Sequence, residues 1–312
     1  FSDICKNKVH YMTNSQHFIL GLGAAKSGTT TLASLLKEHP QIKISKIGKE
    51  VHFFDEKFDQ GKDWYLGLFE HHNSNKFFNL DFTPSYLFDP KCRDRIFDTL
   101  GRNLKFVVIL RNPFERAYSH YCHAVNHWWK PEYRPRGYPE EKLSFYDALL
   151  TEDKRLKSGK YHIRHQSYYN KGLYDRQLEY YFDKFSKSYF FVIIFEEFIK
   201  NHQSILGSLY DWLGISADFA KSQELLKLNS QTQGKIPREA INFLQDKFDH
   251  SINNLEKILG KDLAFWRIDK NNDRLSLDLE EWQFRLQEIK TEREKIDIRW
   301  QEIRKQREKY QP

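Results

Sequence analysis

The chain has 312 residues, 39% hydrophobic and 16% aromatic, which excludes a disordered polymer and supplies apolar material for one sizeable core. A formal charge of +7 favours anionic partners such as nucleotides, acidic glycans, nucleic acid or acidic proteins without choosing among them. Three cysteines, Cys5, Cys92 and Cys122, odd in number and widely spaced, fit neither a disulfide framework nor a zinc site. No apolar run approaches the roughly 20 residues that span a bilayer, and no Asn-x-Ser/Thr sequon occurs. The expected compartment is therefore a cytoplasm, bacterial as an option. An anchor upstream of Phe1 stays open, because a chain beginning at Phe reads as a fragment.

In chain order, HFILGLG (17–23) is an apolar run ending in glycines, the pattern of a buried strand feeding a tight turn. Leu32, Leu35 and Leu36 then recur at helical spacing until His39-Pro40. Further strands are expected at QIKIS (41–45), KFFNLD (76–81), KFVVILR (105–111) and YFFVIIF (189–195). Helical patterns fall between them, at about 113–125 and in SILGSLYDWLG, which closes on Gly214. Strands alternating with helices predict an α/β fold with a central, mainly parallel sheet flanked by helices.

Residues 126–176 are rich in Trp, Tyr, His, Lys and Arg, with prolines and little periodicity around HWWKPEYRPRGYPEEK, and read as a long surface excursion. From Leu279, residues Trp282, Leu286, Ile289, Ile296, Trp300, Ile303 and Tyr310 alternate at spacings of four and three, with Arg293 and Arg307 in two core slots. This predicts a long amphipathic helix able to pair with another chain or fold back on the core. Its near balance of acids and bases speaks against a nucleic-acid arm. The expected organisation is an N-terminal extension (1–16), a catalytic domain (17–269) and a helical tail (270–312).

The stretch GLGAAKSGTTTL (21–32) carries the first chemical signal. Gly23 and Gly28 keep the spacing of a nucleotide-triphosphate P-loop, yet Thr29 stands where the lysine belongs and Lys26 sits inside the loop. A loop joining a strand to a helix N-terminus aims backbone N–H groups and the helix dipole at an anion. Glu50 and His52 are two apart, so in an extended segment both would face one side and converge on an acceptor hydroxyl.

AAKSGTTTL, GKEVHFFD (48–55) and LRNPFERAYSHY (110–121) together resemble the sulfotransferases that use 3'-phosphoadenosine 5'-phosphosulfate (PAPS). The likeness is greatest to the heparan sulfate sulfotransferases, with their K-x-G-T loop and E-x-H-F-F motif. It continues through TPSY (83–86), KGLYDRQLEYYFDKF (171–185) and LGKDLAFW (259–266). The resemblance implies a P-loop-like sulfotransferase fold and PAPS as donor, released as adenosine 3',5'-bisphosphate (PAP), with no metal required. It places Lys26 beside the leaving oxygen, the N–H groups of Ser27, Gly28, Thr29 and Thr30 around the 5'-phosphate, and Arg111 with Ser119 on the 3'-phosphate. Gly234 and Lys235 approximate a late phosphate-binding loop. Glu50 is the implied general base and His52 orients the acceptor or sulfo group, although a related branch uses histidine as base and the roles could be exchanged. Phe82 stands where the family often has a lysine, so either Lys49 supplies that charge or the acceptor is handled differently. Lys49 and Thr83, with His127, Arg134 and Arg136 of the basic aromatic stretch, are the expected acceptor contacts.

The acceptor implied is a hydroxyl on a saccharide, or on a hydroxyacyl chain bound to a carrier protein. Two readings of other classes remain. An ATP-dependent P-loop kinase would use Asp81 as its strand-end carboxylate, and a non-catalytic polyanion-binding protein would keep the fold without turnover.

Overall fold

The computed structural model describes residues 17–70, 77–102, 104–127, 141–159, 164–225 and 236–268, with the short strand at 276–277. The expected N-terminal extension, the tail helix with its Arg293 and Arg307, Gly234, Lys235, Arg134 and Arg136 lie outside the described residues, as does the His127 side chain.

Five strands form the central sheet: β1 (His17–Gly23), β2 (Ile42–Ile44), β3 (Phe78–Phe82), β4 (Lys105–Leu110) and β5 (Phe190–Ile194). Their order is β2-β3-β1-β4-β5, and every pairing is parallel. A parallel sheet needs cover on both faces, and the strand sequences provide it by alternation. Along β1, Phe18, Leu20 and Leu22 enter one apolar cluster while Ile19 enters the other. Along β4, Phe106, Val108 and Leu110 enter the first and Val107 and Ile109 the second.

The second cluster is closed by α1 (Thr29–Glu38) and α7 (Phe195–Leu213), through Leu32, Leu35 and Leu36 and through Phe198, Leu206, Leu209 and Tyr210. The first is closed by α3 (Pro90–Leu100), α4 (Pro113–His127), α5 (Phe145–Leu156), α6 (Tyr174–Phe182) and α8 (Arg238–Leu259). A single-turn helix, α2 (Lys62–Gly67), contributes the buried Tyr65 to the same face. The two-stranded pair β6 (Ile236–Pro237) and β7 (Ser276–Leu277) brackets α8 in sequence and lies against it in space.

The surface excursion expected over 126–176 is corrected for its second half. Ser144 caps α5 by accepting the Asp147 N–H, and Phe145, Ala148 and Leu149 are buried. Tyr168, Tyr169 and Lys171 are buried as well. The buried Glu152 carboxylate accepts the backbone N–H groups of Tyr168, Tyr169 and Asn170 at 2.7, 2.8 and 2.9 Å, which ties this polar-looking stretch to the core.

Candidate active site

The carboxyl ends of β1, β3 and β4 meet at one edge of the sheet, where α/β proteins with parallel strands place their ligands. β1 runs into residues 24–28 and then α1. Gly28 has φ +82°, and a Cβ there would stand 2.6 Å from Phe195 Cε2, so both backbone and packing require glycine. Lys26 also has positive φ, at 70°, an uncommon conformation for a side-chain-bearing residue that recurs at functional sites.

The N-terminus of α1 is arranged for an anion. Its first turn holds no acidic residue, and Gly28 has no side chain to cap it. Orphan N–H groups and the positive dipole end are left for an outside acceptor. Ser27 Oγ is buried beside the Tyr174 hydroxyl without a hydrogen bond of good geometry. Three cations surround this turn. Burial pulls the Lys26 ammonium below the ordinary lysine range, and the positive charges of Arg111 and Lys49 add to the effect against the influence of Cys122. No carboxylate pairs with Lys26 among the described residues.

Arg111 stands just past β4. Its guanidinium pairs with Glu115 Oε2 at 2.6 Å, reaches the Lys26 carbonyl at 3.5 Å and lies over the Phe195 ring. Ser119 is buried on α4, one turn before Cys122 and on the same side of the helix. Cys122 is near enough to influence Lys26, so this face of α4 borders the loop.

Opposite the loop, residues 49–55 present the acid–base groups. Lys49 Nζ donates to Thr29 Oγ1 at 3.2 Å and Glu50 Oε1 at 3.0 Å, and sits 5.6 Å from the centroid of the Phe82 ring. A lysine charge thus stands over the Phe82 ring. His52 joins Glu50 Oε2 through Nε2 at 3.2 Å and Asp55 Oδ2 through Nδ1 at 3.0 Å. Partial burial would raise the Glu50 carboxyl, but the His52 hydrogen bond and Lys49 outweigh it and hold the group at about 2. Burial depresses His52, yet its bonds to Asp55 and Glu50 prevail and leave the ring above its ordinary value, against an opposing push from Arg164.

The expectation that Glu50 and His52 converge because their segment is extended is corrected. His52 has φ 56°, and its carbonyl accepts from Glu56 and Lys57 in a tight turn. The two side chains meet through that turn rather than through strand alternation. Asp55 and Arg164 are site residues that sequence reasoning missed. Asp55 sat inside the quoted GKEVHFFD as its final letter; Arg164 had no local signal at all.

The turn is fixed from below by Asp81. Its buried carboxylate accepts from the hydroxyls of Thr83, Tyr86 and Tyr65 at 2.6, 2.9 and 3.2 Å and from Val51 N–H at 3.4 Å. Burial pushes the Asp81 carboxyl up to about 6 despite these donors. Thr83 has no exposed surface and accepts from Val51 N–H, so it shapes the turn rather than meeting an acceptor. Asp81 is likewise buried, and both its oxygens are already taken by hydroxyls and the Val51 N–H, which speaks against the metal-binding carboxylate of the kinase reading.

A glycine turn and an uncapped helix N-terminus at the end of β1, faced by a carboxylate–imidazole pair, form the candidate site of this α/β fold. A family model for the sulfotransferase domain matches residues 16–252, and the chain belongs to that family. Among curated relatives, heparan sulfate glucosamine 3-O-sulfotransferase 6 of Mus musculus is 27% identical over 195 residues, 62% of this chain and 51% of that protein. Membrane-associated sulfotransferase kil1 of Dictyostelium discoideum is 34% identical over 133 residues, 42% of this chain and 28% of that protein. The chain therefore matches about half or less of the length of these relatives. The crystal structure of a sulfotransferase from Alicyclobacillus acidocaldarius superposes with a TM-score of 0.64 at 27% identity, covering 81% of this chain and 99% of that one. No helix among the described residues is long and apolar enough to cross a membrane.

Proposed function

We propose that this protein is a PAPS-dependent O-sulfotransferase whose acceptor is a hydroxyl on a carbohydrate. The carrying observation is the pairing of an uncapped, cation-ringed helix N-terminus with the Glu50–His52–Asp55 array across a gap that Lys49 bridges. The donor supplies an activated sulfuryl group on a 5'-phosphate. Ser27 to Thr30 and Arg111 with Ser119 are the groups that would hold its two phosphates, and Gly234 and Lys235 belong to the same reading. The fit rests on the buried Ser27 hydroxyl, the glycine cradle at Gly28 and the Lys26 ammonium, which has no carboxylate partner among the described residues.

In the proposed transfer the acceptor hydroxyl gives its proton to the Glu50 carboxylate. Its oxygen forms a bond to sulfur as the bond from sulfur to the 5'-phosphate oxygen breaks. Lys26 faces the negative charge left on that oxygen, Lys49 the charge on the sulfuryl oxygens, and His52 with Asp55 orients the array. A saccharide is favoured because named relatives act on heparan sulfate glucosamine and the net charge of +7 suits an acidic glycan. His127, Arg134 and Arg136 are the proposed glycan contacts, and the tail helix a proposed site of association with a second copy or another chain.

Calorimetric titration with PAP, run beside ATP with magnesium, tests the donor. Micromolar PAP binding that weakens in Arg111→Ala, with little ATP binding, is expected. Transfer of labelled sulfate from PAPS to heparan sulfate and to simple alcohols then tests the acceptor. ATP preference would overturn the donor assignment, and transfer to alcohols alone the acceptor.

A further inference from the structure

One atom of the site has two suitors. His52 Nε2 lies 3.2 Å from Glu50 Oε2 and 2.8 Å from Arg164 Nη2. A carboxylate can only accept a hydrogen bond and a guanidinium can only donate one. With a proton on Nε2, the ring donates to Glu50 and its positive charge faces the Arg164 guanidinium. Without it, the ring accepts from Arg164, and Glu50 loses its histidine partner. Nδ1 is bonded to Asp55 Oδ2 at 3.0 Å, and the same Arg164 Nη2 also stands 3.4 Å from it, so the guanidinium lies against the side of the ring that carries both nitrogens.

This competition bears on a difficulty in the proposed chemistry, on whose assignment of Glu50 as base the inference rests. A carboxylate held by both Lys49 and His52 is a weak proton acceptor, since base strength follows basicity. Releasing the His52 bond raises the basicity of Glu50 while Lys49 keeps it in place. We propose that Arg164 is a positioning residue for transfer: by donating to His52 Nε2 it takes that nitrogen away from Glu50 and leaves the carboxylate free to accept the acceptor's proton.

Arg164 is held for this task. Its backbone carbonyl accepts from the buried Lys171 ammonium, and its guanidinium pairs with Glu56 at the far end of the same turn. The charged groups around His52 are Glu50, Asp55 and Glu56 on its own turn, Asp81 beneath it and Arg164 across from it, with Lys49 acting through Glu50 and Lys171 through Arg164. Arg164 is the member of this set that directly opposes protonation of the ring.

The test uses the full chain and two readouts. In ligand-free protein labelled at histidine, nitrogen NMR follows the His52 ring through a pH titration. Arg164→Gln is expected to move its titration upward by about one pH unit, the usual scale for removing one close like charge, while Arg164→Lys shifts it less. In the transfer assay, the acid limb of the kcat profile of Arg164→Gln is expected to move upward by the same amount, with kcat largely recovered above the limb. An unmoved ring titration in both folded variants, or a limb displaced downward, overturns the proposal. Should Glu50→Gln turn over normally while the NMR shift persists, the reading of Glu50 as base fails and the control of His52 by Arg164 stands.

Discussion

Lys49 Nζ lies 3.2 Å from Thr29 Oγ1 and 3.0 Å from Glu50 Oε1, so one ammonium links the mouth of the phosphate loop to the acid–base turn. Burial lowers the affinity of Lys49 for its proton and Glu50 restores it only in part, which leaves the ammonium below the ordinary lysine range. Lys49→Met should therefore reduce transfer about a hundredfold, the scale for losing one preorganised charge at a transition state. PAP affinity should fall far less, and the Glu50 carboxyl should rise from about 2. Kinetics beside calorimetry check this, and equal losses in affinity and kcat would place Lys49 in ground-state binding instead.

Glu50 is exposed at 39% of its side chain and supports little of the fold, which makes it a clean site for substitution. Glu50→Gln keeps the shape and one accepting oxygen for Lys49, but its amide NH2 replaces the oxygen that meets His52 and it cannot take a proton. PAP binding should stay within about twofold while kcat falls by at least about a hundredfold. Near-normal turnover would move the base role to His52.

At Gly28 the backbone and the packing make separate demands. Alanine there meets both φ +82° and the Phe195 ring, at 2.6 and 2.8 Å from its two nearest carbons. A loss of at least about 2 kcal/mol is expected from the combination of left-handed strain and overlap. Urea unfolding should show it, together with PAP binding weakened more than tenfold. Adding Phe195→Leu should recover the packing share and leave the backbone share.

The strands were legible because β1, β4 and β5 are short apolar runs, which burial in a covered sheet demands, while the edge strand β2 shows only Ile42 and Ile44 on either side of Lys43. The loop was legible for a related reason: glycine spacing records a backbone requirement, as Gly28 demonstrates. The segment around α5 was misread because its buried face carries Glu152 where a hydrophobic residue would complete the period, and that carboxylate is satisfied by N–H groups 16 to 18 residues away. Pairings at that range leave no local trace. The same holds for Arg164, which meets His52 across 112 positions of sequence, and for the Asp81 hub, whose hydroxyl donors come from three separate residues. His52 convergence was anticipated for the wrong reason, since a left-handed turn achieves what strand alternation was expected to do.

The Tyr86 hydroxyl donates to Asp81 at 2.9 Å and accepts from Phe53 N–H at 2.9 Å, with no exposure to solvent. Tyr86→Phe leaves a buried N–H without its acceptor next to His52. The expected cost is about 1–3 kcal/mol, the penalty for one buried unsatisfied donor. Because the disturbed backbone carries His52 and not the phosphate loop, transfer should fall about tenfold while PAP affinity holds. Denaturant unfolding and paired kinetic and calorimetric measurements decide it; a parallel loss of PAP affinity would mean that the turn and the loop move as one unit.

Lys171 is fully enclosed, donates to the Arg164 carbonyl and lies 5.4 Å from the centroid of the Phe88 ring. Burial, with Arg116 and Arg164 nearby, lowers its ammonium to about 7 from 10.5. Between those values the unfolded chain binds the proton and the folded chain does not, so this group makes the fold more stable as pH rises through that window. The gain is at most about 1.4 kcal/mol per pH unit for one proton. Lys171→Met removes this contribution, so the stability of the wild type relative to the variant should climb from pH 7 toward pH 10 in urea unfolding. A difference that stays constant with pH would mean that Lys171 keeps its proton in the folded chain and that its hold on Arg164 is a charged one throughout.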